Sequence, residues 1–274
     1  MDLHHLISNA QHMPNIPKVV QELIQSFGDD GINSDEIAQK LSKDQSMTVK
    51  VLRMANSSQY GGHRKIGSVN DAAVLLGFNA LRTMVLASGL TSAFPAPEGF
   101  NIKAFWIKSF ALASISKWVA KYTPNINVEV AFTCGMIHDI GGLLTHILVN
   151  EEAQKIDRIV EKGADRVTME DSHLGFNFTQ AGAELANRWN FPEAIIEGIR
   201  HQMQPQVSED EYQPLAGIIY IAQYIFNNRE GDNEVFMANF PLTHAKALGI
   251  NMATVLDQLD ELKEVESGIE ELLD

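Results

Sequence analysis

The segment Val128–Leu148 reads VEVAFTCGMIHDIGGLLTHIL, and apolar side chains cover nearly every side of it when it is drawn as a helix. A helix that is apolar all round is typical of a protein core, so we expect one central helix here. A histidine and an aspartate, His138 and Asp139, lie in its middle. A buried carboxylate is costly unless a cation, a metal or several hydrogen-bond donors neutralise it. Asp139 must therefore have a partner.

A second apolar segment supplies one candidate for that partner. Residues 104–120 are also apolar on most sides, which predicts another central helix. Lys108 lies on the same stripe of this helix as Phe105 and Leu112. The Lys108 ammonium is therefore the first candidate, and a metal ion is the alternative.

The composition argues against several classes of function. The 274 residues hold 21 Lys and Arg against 35 Asp and Glu, a formal net charge of −14, and this charge opposes nucleic acid binding at long range. The single cysteine cannot form an internal disulfide, and the first ten residues show no basic stretch followed by an apolar one, so we expect a cytoplasmic protein. No uncharged apolar run approaches the roughly 20 residues needed to cross a bilayer, and we expect no membrane partner.

The local patterns predict helices and an all-α fold. Three segments have apolar residues at helical spacing: one that begins at Ser34, one over residues 48–56, and one that begins at Ser68 and ends at Gly77. Serine before a helix and glycine after it are typical boundaries. The alternation of apolar and polar residues that marks β-hairpins is absent.

Two proline-containing stretches divide the chain, at residues 94–99 and 204–214. Such stretches interrupt helices, so we predict a small amino-terminal helical subdomain over residues 1–94, a helical core over 95–205 and carboxy-terminal helices over 206–274. The last part holds three basic and fourteen acidic residues, a net charge of −11. Its segments 212–228 and 253–273 have helical apolar spacing, and the second either packs on the core or docks a partner.

Several separate blocks of the sequence resemble one known family. They read MPNIPKVV (13–20), LRMANSSQYG (52–61), AVLLGFNALR (73–82), FW (105–106), GMIHDIG (135–141) and WNFP (189–192). In this order and spacing the blocks resemble the HDOD domain, a regulatory relative of the HD-type metal-dependent phosphohydrolases. The resemblance covers residues 13–205, and it implies an HD-like helical core and a role in bacterial signal transduction.

The resemblance also implies where a metal site would lie. HD-type phosphohydrolases hold metal ions with an upstream His, the His-Asp doublet, further His residues and a last Asp, since the metal acidifies water and clamps phosphate oxygens. Only the doublet matches here, as His138 and Asp139. The other positions carry Lys108, Phe178, Gln202, Met203 and Gln223, a set that does not suit a hard cation. The resemblance thus implies a vestigial pocket with no metal or other cofactor and no catalytic residue.

We therefore predict a non-catalytic regulatory module that acts through signalling proteins, with a nucleotide as a further candidate ligand. Lys108 then pairs with Asp139 and takes the place of the metal charge. The alternative is a metal-dependent phosphohydrolase or phosphodiesterase that acts on a nucleotide or phosphate ester, using His138 and Asp139 in a reduced site. His146 lies about two turns beyond Asp139, and we expect it at the polar surface of a helix end.

The amino-terminal part contains two candidate interaction features. The loop of residues 56–65 is rich in small polar residues, which suits recognition, although a helix cap followed by a turn explains it equally well. This loop carries Asn56, Tyr60, His63, Arg64 and Lys65. Residues 34–55 predict two short helices joined by a tight turn, as in helix-turn-helix DNA readers. Because residues 1–94 carry eight basic and eight acidic groups, we expect packed helices there rather than a nucleic acid surface.

Overall fold

The computed structural model describes residues 2–8, 13–25, 34–56, 65–209, 211–251 and 258. These residues form α1 (Leu3–Ser8), α2 (Lys18–Gln25), α3 (Ser34–Leu41), α4 (Gln45–Ala55), α5 (Val69–Leu76), α6 (Phe78–Ala93), α7 (Ile102–Lys121), α8 (Val128–Met136), α9 (Ile140–Leu148), α10 (Asn150–Val160), α11 (Arg166–Leu174), α12 (Phe178–Arg188), α13 (Glu193–Arg200), α14 (Pro214–Asn228), α15 (Asn233–Ala238) and α16 (Leu242–Ala247). Within these ranges the strands are β1 (Gln206–Ser208) and β2 (Glu211–Tyr212), which pair antiparallel. The all-α prediction is confirmed.

Side-chain caps explain where several helices begin. The Asp44 carboxylate accepts from the Met47 N–H at 3.0 Å before α4, and the Ser68 hydroxyl accepts from the Asp71 N–H at 3.0 Å before α5. Such oxygens satisfy N–H groups that have no partner within the helix. Gly77 ends α5 with a φ of 83°, which favours glycine. The predicted boundaries at Ser68 and Gly77 are confirmed, whereas α4 begins before residue 48 because Asp44 caps it.

The predicted single helix over residues 128–148 is wrong, because the structure has two helices, α8 and α9, joined by a turn at residues 137–139. Side chains form hydrogen bonds with backbone carbonyl oxygens at this turn. The Gly135 carbonyl lies 2.7 Å from Nδ1 of His138, and the His138 carbonyl accepts from Gln202 at 2.7 Å. Because side-chain hydrogen bonds of this kind compete with the helical ladder, the helix stops at the His-Asp doublet.

One large hydrophobic core joins most of the helices, and a smaller cluster of Ile156, Leu174, Phe176 and Ala181 lies among α10, α11 and α12. As predicted for residues 104–120, α7 is central, and it packs against α8 and α14. α6 contacts the amino-terminal helices α2, α4 and α5 on one side and α8 on the other. By length and composition residues 128–148 could cross a membrane, but 83% of their most apolar window is buried inside the protein. That burial is typical of a core segment.

The carboxy-terminal part is described up to residue 251 and at residue 258. The helix predicted over residues 212–228 is present as α14. The acidic helix predicted over residues 253–273 lies outside the described residues, apart from residue 258. The division at residues 94 and 205 stays a prediction. The larger cluster extends across both points, since it includes Ile7, Phe105 and Ile250.

α9 and α12 cross with their backbones in contact. A Cβ atom at Gly141 would lie 1.9 Å from the Phe178 carbonyl oxygen and 2.4 Å from the Gly182 nitrogen. Such distances are shorter than any van der Waals contact, so only glycine permits this approach. The crossing fixes the start of α9, and with it the His-Asp doublet, against the start of α12.

Candidate functional site

His138 is buried in the turn between α8 and α9, with 2% of its surface exposed. Its Nδ1 lies 2.7 Å from the Gly135 carbonyl oxygen. Because a carbonyl only accepts, Nδ1 must carry the proton. Burial lowers the pKa of His138 to about 4, although the neighbouring Asp139 carboxylate opposes this shift. The ring is therefore neutral at physiological pH.

Two glutamines occupy predicted metal-ligand positions and form a chain of amides behind the doublet. Gln202 is fully buried, and its Nε2 donates to the His138 carbonyl at 2.7 Å and to the Ile199 carbonyl at 3.0 Å. Gln223 donates from Nε2 to Oε1 of Gln202 at 3.0 Å. The structure thus brings three members of the predicted vestigial pocket, namely His138, Gln202 and Gln223, into one hydrogen-bonded group.

The other members of that pocket lie apart from this group. Met203 is 44% exposed, whereas the Phe178 side chain is buried. The Lys108 side chain is exposed, and the predicted direct pair between Lys108 and Asp139 is absent from the ion pairs and hydrogen bonds of the described residues. A lysine at the edge of an apolar helix keeps its ammonium in water, where the charge is best solvated. The Lys108 charge acts only at longer range, where it contributes to lowering the pKa of His138.

Asp139 is half-buried and faces a cavity of about 260 Å³. The cavity is lined by Phe100, Phe105, Asp139, Gly142, Leu143, His146, Asp157, Val160, Glu161 and Arg166. Arg166 is the cation that sequence reasoning missed. Burial acts to lower the pKa of Arg166, but hydrogen bonding and charge from Asp157, together with the charges of Asp139 and Glu170, outweigh it and raise the pKa. The charge of Asp139 therefore acts on a cation of α11, Arg166.

Arg166 belongs to a network of ion pairs that ties three helices together. Its Nη2 lies 2.6 Å from Oδ1 of Asp157 on α10, and its Nη1 lies 3.2 Å from Oε1 of Glu170 on α11. Asp157 also accepts from Nε2 of His146 on α9 at 2.8 Å. Glu170 accepts from the Phe178 N–H at 2.6 Å. The network thus connects the start of α12 with the end of α9.

His146 is buried, with 5% of its surface exposed, so the prediction of a surface histidine is wrong. Its Nδ1 lies 2.9 Å from the Gly142 carbonyl oxygen and its Nε2 lies 2.8 Å from Asp157. Because both partners only accept, this geometry favours the imidazolium form, in which both ring nitrogens donate. Burial acts to lower the pKa of His146, but these two hydrogen bonds outweigh it and raise the pKa.

The residues present do not fit an HD-type metal. Among the described residues, no group of three or more His, Cys, Asp and Glu side chains is arranged to hold a metal ion. The remaining predicted ligand positions carry two hydrogen-bonded amides, an exposed ammonium, an exposed thioether and a buried phenyl ring. None of these groups replaces His or carboxylate at a hard cation.

The predicted interaction loop lies mostly outside the described residues, which include only Asn56 and Lys65 of its five named side chains. Asn56 closes the base of the loop: its Nδ2 donates to the carbonyls of Leu52 at 2.7 Å and Ile66 at 2.9 Å, and its Oδ1 accepts from the Ile66 N–H at 2.8 Å. This geometry explains Asn56 as a structural clamp. Recognition by Tyr60, His63 and Arg64 stays a prediction.

The two helices predicted over residues 34–55 are present as α3 and α4. Two of their lysines are engaged within the chain, since Lys40 pairs with Glu22 at 2.8 Å and Lys50 donates to the Ser92 hydroxyl. These contacts accord with packed helices, and the absence of nucleic acid binding stays a prediction.

Comparison with known proteins gives the family. The model of the HDOD domain matches residues 13–205. A solved structure from Shewanella amazonensis, named "Putative phosphohydrolase", is 30% identical, with a TM-score of 0.86 over 99% of this chain and 98% of the other. A second from Marinobacter aquaeolei, named "Putative signal transduction protein", is 20% identical, with a TM-score of 0.81 over 99% of this chain and 65% of the other.

A curated relative extends the comparison. An uncharacterized protein from Treponema pallidum is 20% identical over 222 residues, which is 80% of this chain. The chain spans 43% of the length of that relative. With the family model matched over most of its length, the chain belongs to the HDOD domain family.

Proposed function

We propose that this chain is a non-catalytic regulatory module of signal transduction, built on a degenerate HD site. One observation carries the proposal. Two side chains at the former ligand positions are used for internal hydrogen bonds, because Gln223 donates to Gln202, and Gln202 donates to the backbone carbonyl of His138. A metal site would need those positions to present free lone pairs to one point.

The state of the doublet supports the same proposal. His138 directs its protonated Nδ1 to Gly135, and Asp139 lies beside the ion-pair network that contains Arg166. General acid-base chemistry at neutral pH favours a group with a pKa near 7, whereas the pKa of His138 is lowered to about 4. The name of the Marinobacter relative, a signal transduction protein, accords with a regulatory role.

Metal binding and hydrolysis together test this proposal. The purified protein is titrated with Mn²⁺ and Mg²⁺ by calorimetry and assayed with p-nitrophenyl phosphate and bis(p-nitrophenyl) phosphate, with and without metal. We expect no metal binding with a Kd below about 1 mM and no turnover above the protein-free blank. The name of the Shewanella relative makes hydrolysis the alternative outcome.

A matched pair of variants makes the result decisive. Asp139→Asn removes the carboxylate of the doublet, and Glu98→Gln removes an exposed carboxylate elsewhere. We expect both variants to behave as the unaltered protein does in the assays. Metal-dependent turnover that is lost in Asp139→Asn but kept in Glu98→Gln would overturn the proposal in favour of a phosphohydrolase.

A further inference from the structure

A second cavity, of about 350 Å³, lies between α4, α6 and α7, away from the His-Asp doublet. It is lined by Lys50, Arg53, Met54, Ala87, Ser88, Thr91, Phe94, Ala96, Ile102, Lys103, Trp106 and Phe110. Its volume falls at the lower end of the roughly 300–1,000 Å³ of small-molecule sites. The cavity therefore has room for a small ligand of one or two ring systems and a few substituents.

The charge of this cavity is opposite to that of the protein. Lys50, Arg53 and Lys103 are exposed at its rim, and the described residues of its lining include no Asp or Glu. The chain as a whole carries a formal net charge of −14. Three cationic side chains at the rim of one concave site favour an anion. Arg53 suits a phosphate in particular, because its guanidinium can donate two parallel hydrogen bonds.

The inner wall of the cavity is aromatic. Phe94, Trp106 and Phe110 all line it, and the rings of Phe94 and Trp106 meet edge to face, with centroids 6.0 Å apart. The indole N–H of Trp106 is buried and has no acceptor in the described structure. A buried donor without a partner is unfavourable. A ligand with a planar ring can stack on these side chains and supply an acceptor.

Ser88 and Thr91 add acceptors between the rim and the aromatic wall. The Ser88 hydroxyl donates to the Met54 sulfur at 3.3 Å, and the Thr91 hydroxyl donates to the Ala87 carbonyl at 2.9 Å. Since both protons point into the protein, each oxygen retains lone pairs for a donor on the ligand. The cavity thus offers cations at its mouth, acceptors on its side and rings at its base.

We propose that this cavity binds a small ligand with a phosphate and a planar heterocycle, of the size of a nucleoside monophosphate. The phosphate lies among Lys50, Arg53 and Lys103, and the ring contacts Trp106 and Phe110. The site goes beyond the proposed function, because it uses neither His138 nor Asp139. It also differs from a nucleic acid surface, because the cations surround a concavity rather than a face that could enter a groove.

Calorimetric titration with AMP, GMP, CMP and UMP tests the site, with adenosine and inorganic phosphate as partial probes. We expect at least one mononucleotide to bind with a micromolar Kd, and both partial probes to bind about tenfold more weakly or worse, because each lacks one half of the interaction. The nucleotide should be recovered unchanged. If no mononucleotide binds below about 1 mM, the proposal is wrong.

Two lysines of α7 provide the matched control. Lys103 lies in the first turn of α7 at the cavity, and Lys121 ends the same helix outside the cavity lining. We expect Lys103→Gln and Arg53→Gln each to weaken mononucleotide binding about fivefold to tenfold, and Lys121→Gln to leave it unchanged. Equal affinities for Lys103→Gln and Lys121→Gln would overturn the assignment.

Two further variants separate the parts of the proposal. Trp106→Phe keeps an aromatic ring and removes only the indole N–H, and we expect it to weaken mononucleotide binding about threefold or more; unchanged affinity would remove the indole from the site. Asp139→Asn should bind the nucleotide as the unaltered protein does. Loss of binding in Asp139→Asn alone would move the ligand to the doublet and refute the second cavity, whatever the outcome of the hydrolysis assays.

Discussion

Two buried histidines, His138 in the turn after α8 and His146 near the end of α9, have pKa values shifted in opposite directions. His138 donates one ring proton to the Gly135 carbonyl and is neutral, because burial lowers its pKa to about 4. His146 donates from both ring nitrogens, to Gly142 and Asp157, and its pKa is raised. Burial acts on both rings to lower the pKa, and only His146 has a carboxylate hydrogen bond that outweighs it.

The protonation state of His146 makes stability depend on pH. A pKa raised above the ordinary value of 6.5 means that the folded protein binds the proton more tightly than the unfolded chain does. The stabilisation is therefore complete below about pH 6.5 and is lost as the pH rises through the raised pKa. We expect His146→Gln to lower the free energy of unfolding by on the order of 1 kcal/mol at pH 5.5, with a smaller loss at pH 8.5.

Urea unfolding at four pH values between 5.5 and 8.5 measures this effect. His173→Gln serves as the control, since it replaces an exposed histidine on α11, and we expect it to change the free energy of unfolding by less than about 0.5 kcal/mol throughout. A loss in His146→Gln that is the same at every pH would show that His146 packs as a neutral ring.

At the scale of residues, the sequence predicts which side chains lie together only where the family resemblance assigns them to one pocket. His138, Gln202 and Gln223 are assigned to one pocket in this way, and they form one hydrogen-bonded group. The ion pairs of His146, Asp157 and Arg166 join side chains from three helices, and no local spacing indicates them. For the same reason the predicted pair between Lys108 and Asp139 is wrong. Helical spacing predicts the face of the helix on which Lys108 lies, but it does not predict which side chain of another helix it contacts.

At the scale of elements, α9 depends on a crossing that only glycine allows. A Cβ atom at Gly141 would overlap the backbone of α12 at Phe178 and Gly182, and backbone cannot move aside as a flexible side chain can. We expect Gly141→Ala to lower the free energy of unfolding by about 3 kcal/mol. The measurement is urea unfolding at neutral pH, followed by far-UV circular dichroism.

Gly67→Ala is the matched control for this substitution. A Cβ atom at Gly67 meets only the Asp71 carboxylate, at 4.0 Å, which is an ordinary contact. We expect it to change the free energy of unfolding by less than about 0.5 kcal/mol. Similar effects of the two substitutions would mean that α9 and α12 can separate without loss of stability, contrary to the close crossing.

The boundary of a helix can be predicted where the hydrogen bond that sets it joins residues close together in the sequence. Ser68 and Gly77 delimit α5 as the sequence indicates, because the capping hydrogen bond spans only three residues. The turn between α8 and α9 is different. It depends in part on Gln202, which is 64 residues from the His138 carbonyl that it binds, so the apolar pattern of residues 128–148 predicts one unbroken helix.

At the scale of the whole molecule, the hydrophobic core extends across residue 94, where the sequence predicts a division between subdomains. α6 contacts α2, α4 and α5 as well as α8, and the buried side chains on both sides of residue 94 belong to one cluster. Elements that share a core lose their burial together, which is the physical basis of two-state unfolding. The structure therefore favours one cooperative transition over separate unfolding of an amino-terminal subdomain.

The single cysteine provides a probe of that transition. Cys134 is fully buried and lies where α8 meets α13 and α14, since a Cβ atom at Gly198 would contact both its sulfur and Leu215 at 2.9 Å. Burial raises the pKa of its thiol, so the native protein should not react with a disulfide reagent. We expect thiol reactivity, the fluorescence of Trp106, Trp118 and Trp189, and circular dichroism to change at one urea concentration.

These probes report different parts of the chain, so they show whether the protein unfolds as one cooperative unit or as two. The three tryptophans and Cys134 all lie between residues 106 and 189, whereas circular dichroism also reports α2 to α6. If the amino-terminal helices unfolded alone, circular dichroism would decline and Trp106, which lies against α4 and α6, would change its fluorescence before the thiol reacted, and the division at residue 94 would hold as an energetic boundary. Coincident midpoints would mean that a ligand in the cavity between α4, α6 and α7 stabilises the whole molecule, because nothing on either side of that cavity unfolds by itself.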